Sequence, residues 1–147
     1  MQQCCKFNIE TKMDFKQLLD HHGLSCTPCR VEVLKILSEE GKALSEEDIR
    51  KRLTFPHNRS TLFRTLRTFA EKKIIHVISC EGSLWYAFGS AETGKKKANH
   101  IHFHCDRCGE ITCLPSAILP RITVPAGFSE QSVSLIVNGL CKKCNKR

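Results

Sequence analysis

The sequence predicts a mixed α/β (α+β) chain in two small domains, a helix-rich front half ending in a hairpin and a strand-rich back half. Three observations predict it. Apolar residues recur at helical spacing to about Lys73 and at strand spacing beyond it. A stretch with two glycines and three consecutive lysines, Gly89–Ala98, divides the chain. Two Cys-x-x-Cys pairs, Cys105/Cys108 and Cys141/Cys144, bracket the back half. The expected domains are residues 1–88 and 99–147, with residues 89–98 as a hinge.

In the front half, Phe15, Leu18 and Leu19 give a short helix over Met13–His22, stopped by Gly23. Pro28 suits a first helical position, Val31, Val33, Leu34 and Leu37 follow as a buried stripe, and Gly41 ends that helix. Ser45-Glu46-Glu47-Asp48 resembles a capping box with Asp in place of the usual Glu or Gln. Ile49 and Leu53 form the apolar side of the helix it starts. Thr54-Phe55-Pro56-His57 is a turn. Asn58 or Ser60 caps the next helix, which runs to about Lys73. Its apolar side holds Leu62, Leu66, Phe69 and Ala70. Thr61, Arg64, Thr65 and Thr68 are assigned to another side. Ile74–Ile78 and Leu84–Phe88 are β-like runs around the turn Cys80-Glu81-Gly82-Ser83. Helices followed by such a hairpin make a winged helix-turn-helix.

In the back half, His100, His102 and His104 alternate with Ile101 and Phe103, so the histidines share one strand face. Ile111–Leu114 and Gln131–Asn138 are further strands. Pro115, Pro120 and Pro125 leave no room between them for a long helix.

Charge is concentrated as well as abundant. The 147 residues carry a formal +8. From Arg50 to Lys73 eight basic residues face one acid, a net +7 on the last two helices of the front half. A basic helix-turn-helix points to double-stranded DNA as partner, with Arg59, Ser60, Thr61, Arg64, Thr65 and Arg67 as candidate contacts. The plain alternative is a solvated helix face. The N-terminus lacks the apolar core of a signal peptide and no apolar run approaches a membrane span, so a cytoplasmic chain with reduced thiols is expected.

Ten cysteines then favour metal over disulfides. Cys105, Cys108, Cys141 and Cys144 form two knuckles, and four thiolates make a closed tetrahedral site suited to one structural zinc per chain. The pairs lie 32 residues apart, so a small sheet must bring them together. His100, His102 and His104 are candidate ligands of a second metal. Same-face neighbours on a strand lie about 6.5 Å apart, close enough for two to converge on one ion and awkward for a third. Cys113, on the next strand, offers a sulfur. A row of solvent-facing histidines is the competing reading. Cys26-Thr27-Pro28-Cys29 has the form of a redox dithiol at a helix start, but the strand that should precede such a helix is absent. No catalytic triad order, phosphate-cradling loop or Walker lysine occurs, so nothing calls for an enzyme.

Taken in order, these residues resemble the ferric uptake regulator (Fur) family of metal and peroxide sensors. The resemblance rests on Gly23-Leu24-x-x-Thr27-x-x-Arg30, Leu44-Ser45-x-x-Asp48-Ile49, Ser60-Thr61-Leu62-Phe63-Arg64, and His100-x-His102-Phe103-x-Cys105-x-x-Cys108-Gly109. Pro125-x-Gly127-Phe128 and Gly139-x-Cys141-x-x-Cys144 complete it. It implies a homodimeric, metal-dependent repressor on a palindromic operator, controlling metal homeostasis. It adds Phe63 to the DNA-contacting residues, where the family usually has Tyr, and it places Ser25 where relatives often carry a lysine. It also implies a regulatory metal with ligands from both halves. Here Ala43 and Ala87 occupy the usual N-terminal ligand positions and Cys113 an acidic one, while His100 and His102 remain. Asn99, Ile101 and Val133 occupy the positions of an additional site. A His/Cys set is softer than a His/carboxylate set, which favours zinc over ferrous iron. Coupling of such a metal to DNA is expected to be weak unless Cys80 or His76 supplies an N-terminal ligand. Two other functions stay open: a constitutive zinc-stabilised DNA-binding or interaction protein, and a thiol redox protein using Cys26 and Cys29.

Overall fold

The structure is a computed structural model and describes residues 14–89, 101–114, 120–130 and 133–146. The chain divides into two compact units, Met1–Ser90 and Ala91–Arg147. The expected hinge lies almost entirely outside the described residues, as does His100.

The first unit contains helices α1 (Phe15–His21), α2 (Pro28–Glu40), α3 (Glu46–Arg52) and α4 (Arg59–Glu71), and strands β1 (Leu44–Ser45), β2 (Ile75–Cys80) and β3 (Ser83–Phe88). Each helix begins where a side chain takes an orphan N–H. Asp14 accepts from Lys16 N at 2.9 Å, Thr27 from Arg30 N at 3.4 Å, Ser45 from Asp48 N at 3.1 Å and Asn58 from Ser60 N at 3.2 Å. Asn58, not Ser60, is therefore the cap of α4. Pro28 takes the first position of α2, and Gly41 ends that helix. The Ser45–Asp48 box closes through the hydroxyl, which also donates to Asp48 Oδ2 at 2.6 Å.

Leu19, Val33, Leu34, Leu37, Ile49, Leu62, Leu66 and Phe69 pack with Ile75, Tyr86 and Phe88 into one core. α4 departs from the expected division of faces. Thr65 is only 6% exposed and belongs to the buried stripe Leu62, Thr65, Leu66, Phe69. The spacing i, i+3, i+4, i+7 places it there, although its hydroxyl made it look like an outward residue. β2 and β3 pair antiparallel from Ile75↔Phe88 to Cys80↔Ser83. Glu81 at φ 51° and Gly82 at φ 75° make the two-residue turn that matches the twist of a hairpin. β1 adds to β3 through Leu44↔Tyr86 and Ser45↔Trp85. The sequence reading did not foresee β1, because two residues show no alternation. The order β1-β3-β2 completes a winged helix.

The second unit has β4 (Ile101–Cys105), β5 (Ile111–Leu114) and β6 (Leu135–Gly139) in the order β5-β4-β6. β5 runs antiparallel to β4, and β6 runs parallel to it. Gly139 lets β6 lie close to the Phe103 ring, where a Cβ would sit at a tight 3.2 Å. Among the described residues no helix is long and apolar enough to cross a membrane.

Candidate metal centres and nucleic-acid interface

The parallel register of β6 on β4 sets the cysteine site. Cys105 pairs with Gly139, and Asp106 N donates to Gly139 O at 2.8 Å. That leaves Cys141 beside the end of β4, where its N–H donates to Cys105 Sγ at 3.3 Å. Gly109, at φ 71°, turns the first knuckle so that its N–H reaches Cys105 O at 2.8 Å. Asn145 N to Cys141 O, also 2.8 Å, closes the second knuckle, and Arg107 ties the two by donating to Cys144 O at 2.9 Å.

The sulfurs of Cys105, Cys108, Cys141 and Cys144 all lie within 4.8 Å of one another. Cys108 and Cys141 are 3.8 Å apart. A tetrahedron with Zn–S bonds of about 2.3 Å has edges of about 3.8 Å. The donor set and its spacing therefore fit zinc. Electrostatics point the same way. Backbone N–H groups of Cys108 and then Cys141 lower the Cys105 thiol to about 6. Hydrogen bonding to Cys141, burial and the other cluster thiols push Cys144 up to about 12. Without a cation the cluster readily gives up its first proton and holds its last, and a divalent ion would discharge it.

Two of the three histidines of the row, His102 and His104, are buried instead of facing solvent. His102 and His104 are each 7% exposed. His102 is the cross-strand partner of Cys113, and their ligand atoms lie within 4.8 Å of each other. His104 is turned to other partners: its Nδ1 is 3.2 Å from Asn138 Oδ1 and 3.8 Å from Asp106 Oδ1. The structure thus brings His102 and Cys113 together and engages His104 elsewhere.

In the first unit, Ala43 and Ala87 are buried and offer no donor atom. Directly across the hairpin from Ala87 stands His76. Its Nδ1 lies 2.9 Å from Gly89 O. With Nδ1–H donating to that carbonyl, the lone pair is on Nε2, the tautomer in which an imidazole ligates metal. Cys80 lies at the hairpin tip with its thiol pushed up by burial. Of the two N-terminal residues named from the sequence, His76 presents a ring lone pair, whereas burial keeps Cys80 a thiol. Cys26 is exposed, whereas Cys29 is 4% exposed with its sulfur 3.8 Å from Thr65 Oγ1. A thiol in that position serves the core.

The outer face of α4 carries Ser60, Thr61, Phe63, Arg64 and Arg67, all exposed, with Arg59 at its start. Phe63 is 49% exposed on a helix whose other aromatic, Phe69, is fully buried. Much of the basic charge is already matched. Arg59 lies 3.6 Å from Glu46, Lys51 3.0 Å from Glu47 and Arg67 3.0 Å from Glu71. Arg52 makes a two-pronged pair with Glu40 that fastens α3 to α2 and holds the Glu40 carboxyl below its usual range. Among the described residues Arg64 has no ion pair or hydrogen bond. Thr65, offered from the sequence as a contact, faces Cys29. Arg30 donates to Ser25 O and Oγ at 2.8 and 2.7 Å, which fixes the loop before α2.

Comparison with known proteins bears on this geometry. The ferric uptake regulator family pattern matches residues 21–136. A ferric uptake regulation protein of Staphylococcus epidermidis is 25% identical over 145 residues, covering 90% of this chain and 96% of that one. The ferric uptake regulator of Vibrio cholerae superposes with a TM-score of 0.62 at 22% identity, over 87% of this chain and all of that one. A zinc uptake regulator solved with zinc and DNA superposes with a TM-score of 0.65 at 20% identity, over 88% and 89% of the two chains. The chain, a winged helix joined to a four-cysteine sheet, belongs to the ferric uptake regulator family of metal-dependent DNA-binding transcription regulators and is not an enzyme.

Proposed function

We propose that this regulator is a cytoplasmic homodimeric repressor that holds one structural zinc per chain and reads a palindromic operator with α4. The observation that carries the proposal is the division of that helix. Leu62, Thr65, Leu66 and Phe69 are buried in the core, while Phe63 and Arg64 project outward, with no partner for the guanidinium among the described residues. A recognition helix needs such a face. Arg64 can donate two hydrogen bonds to a guanine edge, and the Phe63 ring can contact thymine methyls. Two copies would place two such helices one turn of DNA apart. Ser60, Thr61, Arg59 and Arg67 serve as phosphate or flanking contacts.

A second, regulatory metal would be taken by His102 and Cys113, with His100 as a further donor from the sequence. An imidazole and a thiolate favour zinc over ferrous iron, and control of metal homeostasis follows from that preference. Metal acts by favouring the dimer conformation that fits DNA, to the extent that it binds that conformation more tightly. One observation favours a rival reading, constitutive binding without sensing: the buried Ala43 and Ala87 withhold donors where relatives place ligands. Selection of binding sites from random duplexes, with the four-cysteine zinc retained and a second metal supplied or withheld, tests both. Recovery of a palindrome supports the repressor, and enrichment that ignores added metal supports the rival.

A further inference from the structure

The turn between α3 and α4 has no apolar anchor. Leu53 packs at the edge of the core and Leu62 is buried in it, but Thr54, Phe55 and Pro56 are exposed, Phe55 to 64%. What holds the turn is polar. Glu32, on α2, accepts a hydrogen bond from the Thr54 N–H through Oε1. Its other oxygen, Oε2, lies 3.5 Å from His57 Nε2, a ring nitrogen closed to solvent. The hydrogen bond from Thr54, and after it His57, keeps the Glu32 carboxyl below its usual range. Among the described residues Glu32 is the one charged partner of His57, since Arg52 is paired with Glu40 and Arg59 with Glu46. One carboxylate thus grips both ends of the turn. Asn58, which follows His57 directly, caps α4, and Arg64 lies within the next two turns of that helix.

We infer that Glu32 is a positioning residue for DNA reading: through Thr54 and His57 it fixes the turn, and with it the direction in which α4 presents Arg64 to base edges. This rests on α4 being the recognition helix. Groups that read a ligand have to be held within about 0.5 Å and about 10–20° of their working geometry. A bidentate contact to a base edge is lost when the helix that carries it is misaimed, whereas attraction to phosphates carries no sequence information and survives a small tilt. Losing Glu32 therefore costs discrimination between sequences more than it costs attachment to DNA. Its cost to folding is small, because Thr54 is exposed and its N–H can turn to water, while the buried stripes of α2 and α4 are unaltered.

The test uses the full chain with its four-cysteine zinc in place. Affinity is measured for a duplex recovered by selection and for a scrambled duplex of the same length, and each variant is melted. Glu32→Ala should lower the ratio of the two affinities by about tenfold, inside the range for one lost base contact, with scrambled-duplex binding and the cooperative melt nearly unchanged. Glu32→Gln keeps an oxygen for the Thr54 N–H and an amide N–H for the His57 lone pair, so it should restore most of the ratio. His57→Ala should lower the ratio in the same direction. Added to Arg64→Ala, Glu32→Ala should cost little more, because the group it aims is gone. A Glu32→Ala chain that discriminates like the wild type while Arg64→Ala does not overturns the inference and leaves the reading of α4 intact. So does a Gln variant as poor as the Ala variant, a full additive loss on the Arg64→Ala background, or a lost melt with equal loss on both duplexes, which would make Glu32 a residue of stability alone. If Arg64→Ala itself spares discrimination, the reading of α4 falls and the inference with it.

Discussion

Replacing Arg64 by Ala separates the readings of α4 most cleanly, because its neighbours differ from it in a way the structure makes explicit. Arg64 has no partner among the described residues, so it loses nothing within the protein when it turns to DNA. Arg67 holds Glu71 at 3.0 Å, an i,i+4 pair. Such exposed pairs are worth about 0.3–0.5 kcal/mol. Arg67 must give up that contact, or share it, to bind a phosphate. A bidentate contact to a base edge is worth about 1–3 kcal/mol, or about 5- to 160-fold in affinity. Arg64→Ala should therefore weaken operator binding within that range and leave non-operator duplex binding nearly unchanged. Arg67→Ala should weaken both about equally, by a few-fold, and reduce the slope of log affinity against log salt by up to about 0.9. Fluorescence anisotropy over a salt series on both duplexes supplies all four numbers. If Arg67→Ala or Arg59→Ala costs more specificity than Arg64→Ala, or if neutralising Lys95–Lys97 costs more affinity, the recognition surface lies elsewhere.

Other predictions concern the metals and the core. Cys105→Ser or Cys141→Ser should unfold the second unit, since a closed zinc site supplies folding free energy; a zinc-free chain with an unchanged cooperative melt would contradict this. Zinc uptake by the cluster should release protons at pH 7, Cys144 giving up one that Cys105, lowered to about 6, has largely lost already. Zinc affinity should accordingly rise with pH through neutrality and fall steeply below about 6, as Cys105 also takes up a proton; calorimetry in buffers of different ionisation enthalpy counts the protons. Thr65→Val should leave operator affinity within about twofold, its hydroxyl being turned to Cys29, whereas Leu66→Ala should cost about 2–5 kcal/mol of stability. A large loss of DNA binding in Thr65→Val without loss of stability would restore that residue to the DNA face.

Much of this was legible in the sequence, for identifiable reasons. Helix ends are local chemistry, so Pro28, Ser45 and Gly41 marked them, and the Thr27 cap appeared only in the structure. The turn at Glu81-Gly82 was legible because few residue pairs adopt two successive positive φ values. The four-cysteine site was legible because each knuckle is local, even though the register that joins the knuckles is not. Face assignment on α4 failed at Thr65, where composition was weighed above spacing: a hydroxyl sits comfortably in a core when it meets a sulfur. Strand β1 is made by its partner β3 and has too little sequence of its own to be seen. The fate of His104 depended on Asn138, 34 residues away in the chain and opposite it in a parallel pairing. His76 drew attention only as a fallback, since its relation to Ala87 exists only once the hairpin is in register.

Titration of operator affinity with zinc, ferrous iron and manganese, keeping the four-cysteine zinc in place, tests the account most directly. Alanine occupies both N-terminal ligand positions that the family resemblance implies, Ala43 and Ala87, and weak coupling of the metal to DNA is expected on that ground. Zinc should strengthen binding by no more than about fivefold, about 1 kcal/mol, the low end of allosteric coupling, and more than iron or manganese does. That gain should vanish in His102→Ala. A complete absence of response to every metal would contradict regulation and leave a constitutive DNA-binding protein. A hundredfold gain that disappears in His76→Ala would contradict the weak coupling and assign the missing N-terminal ligand to His76.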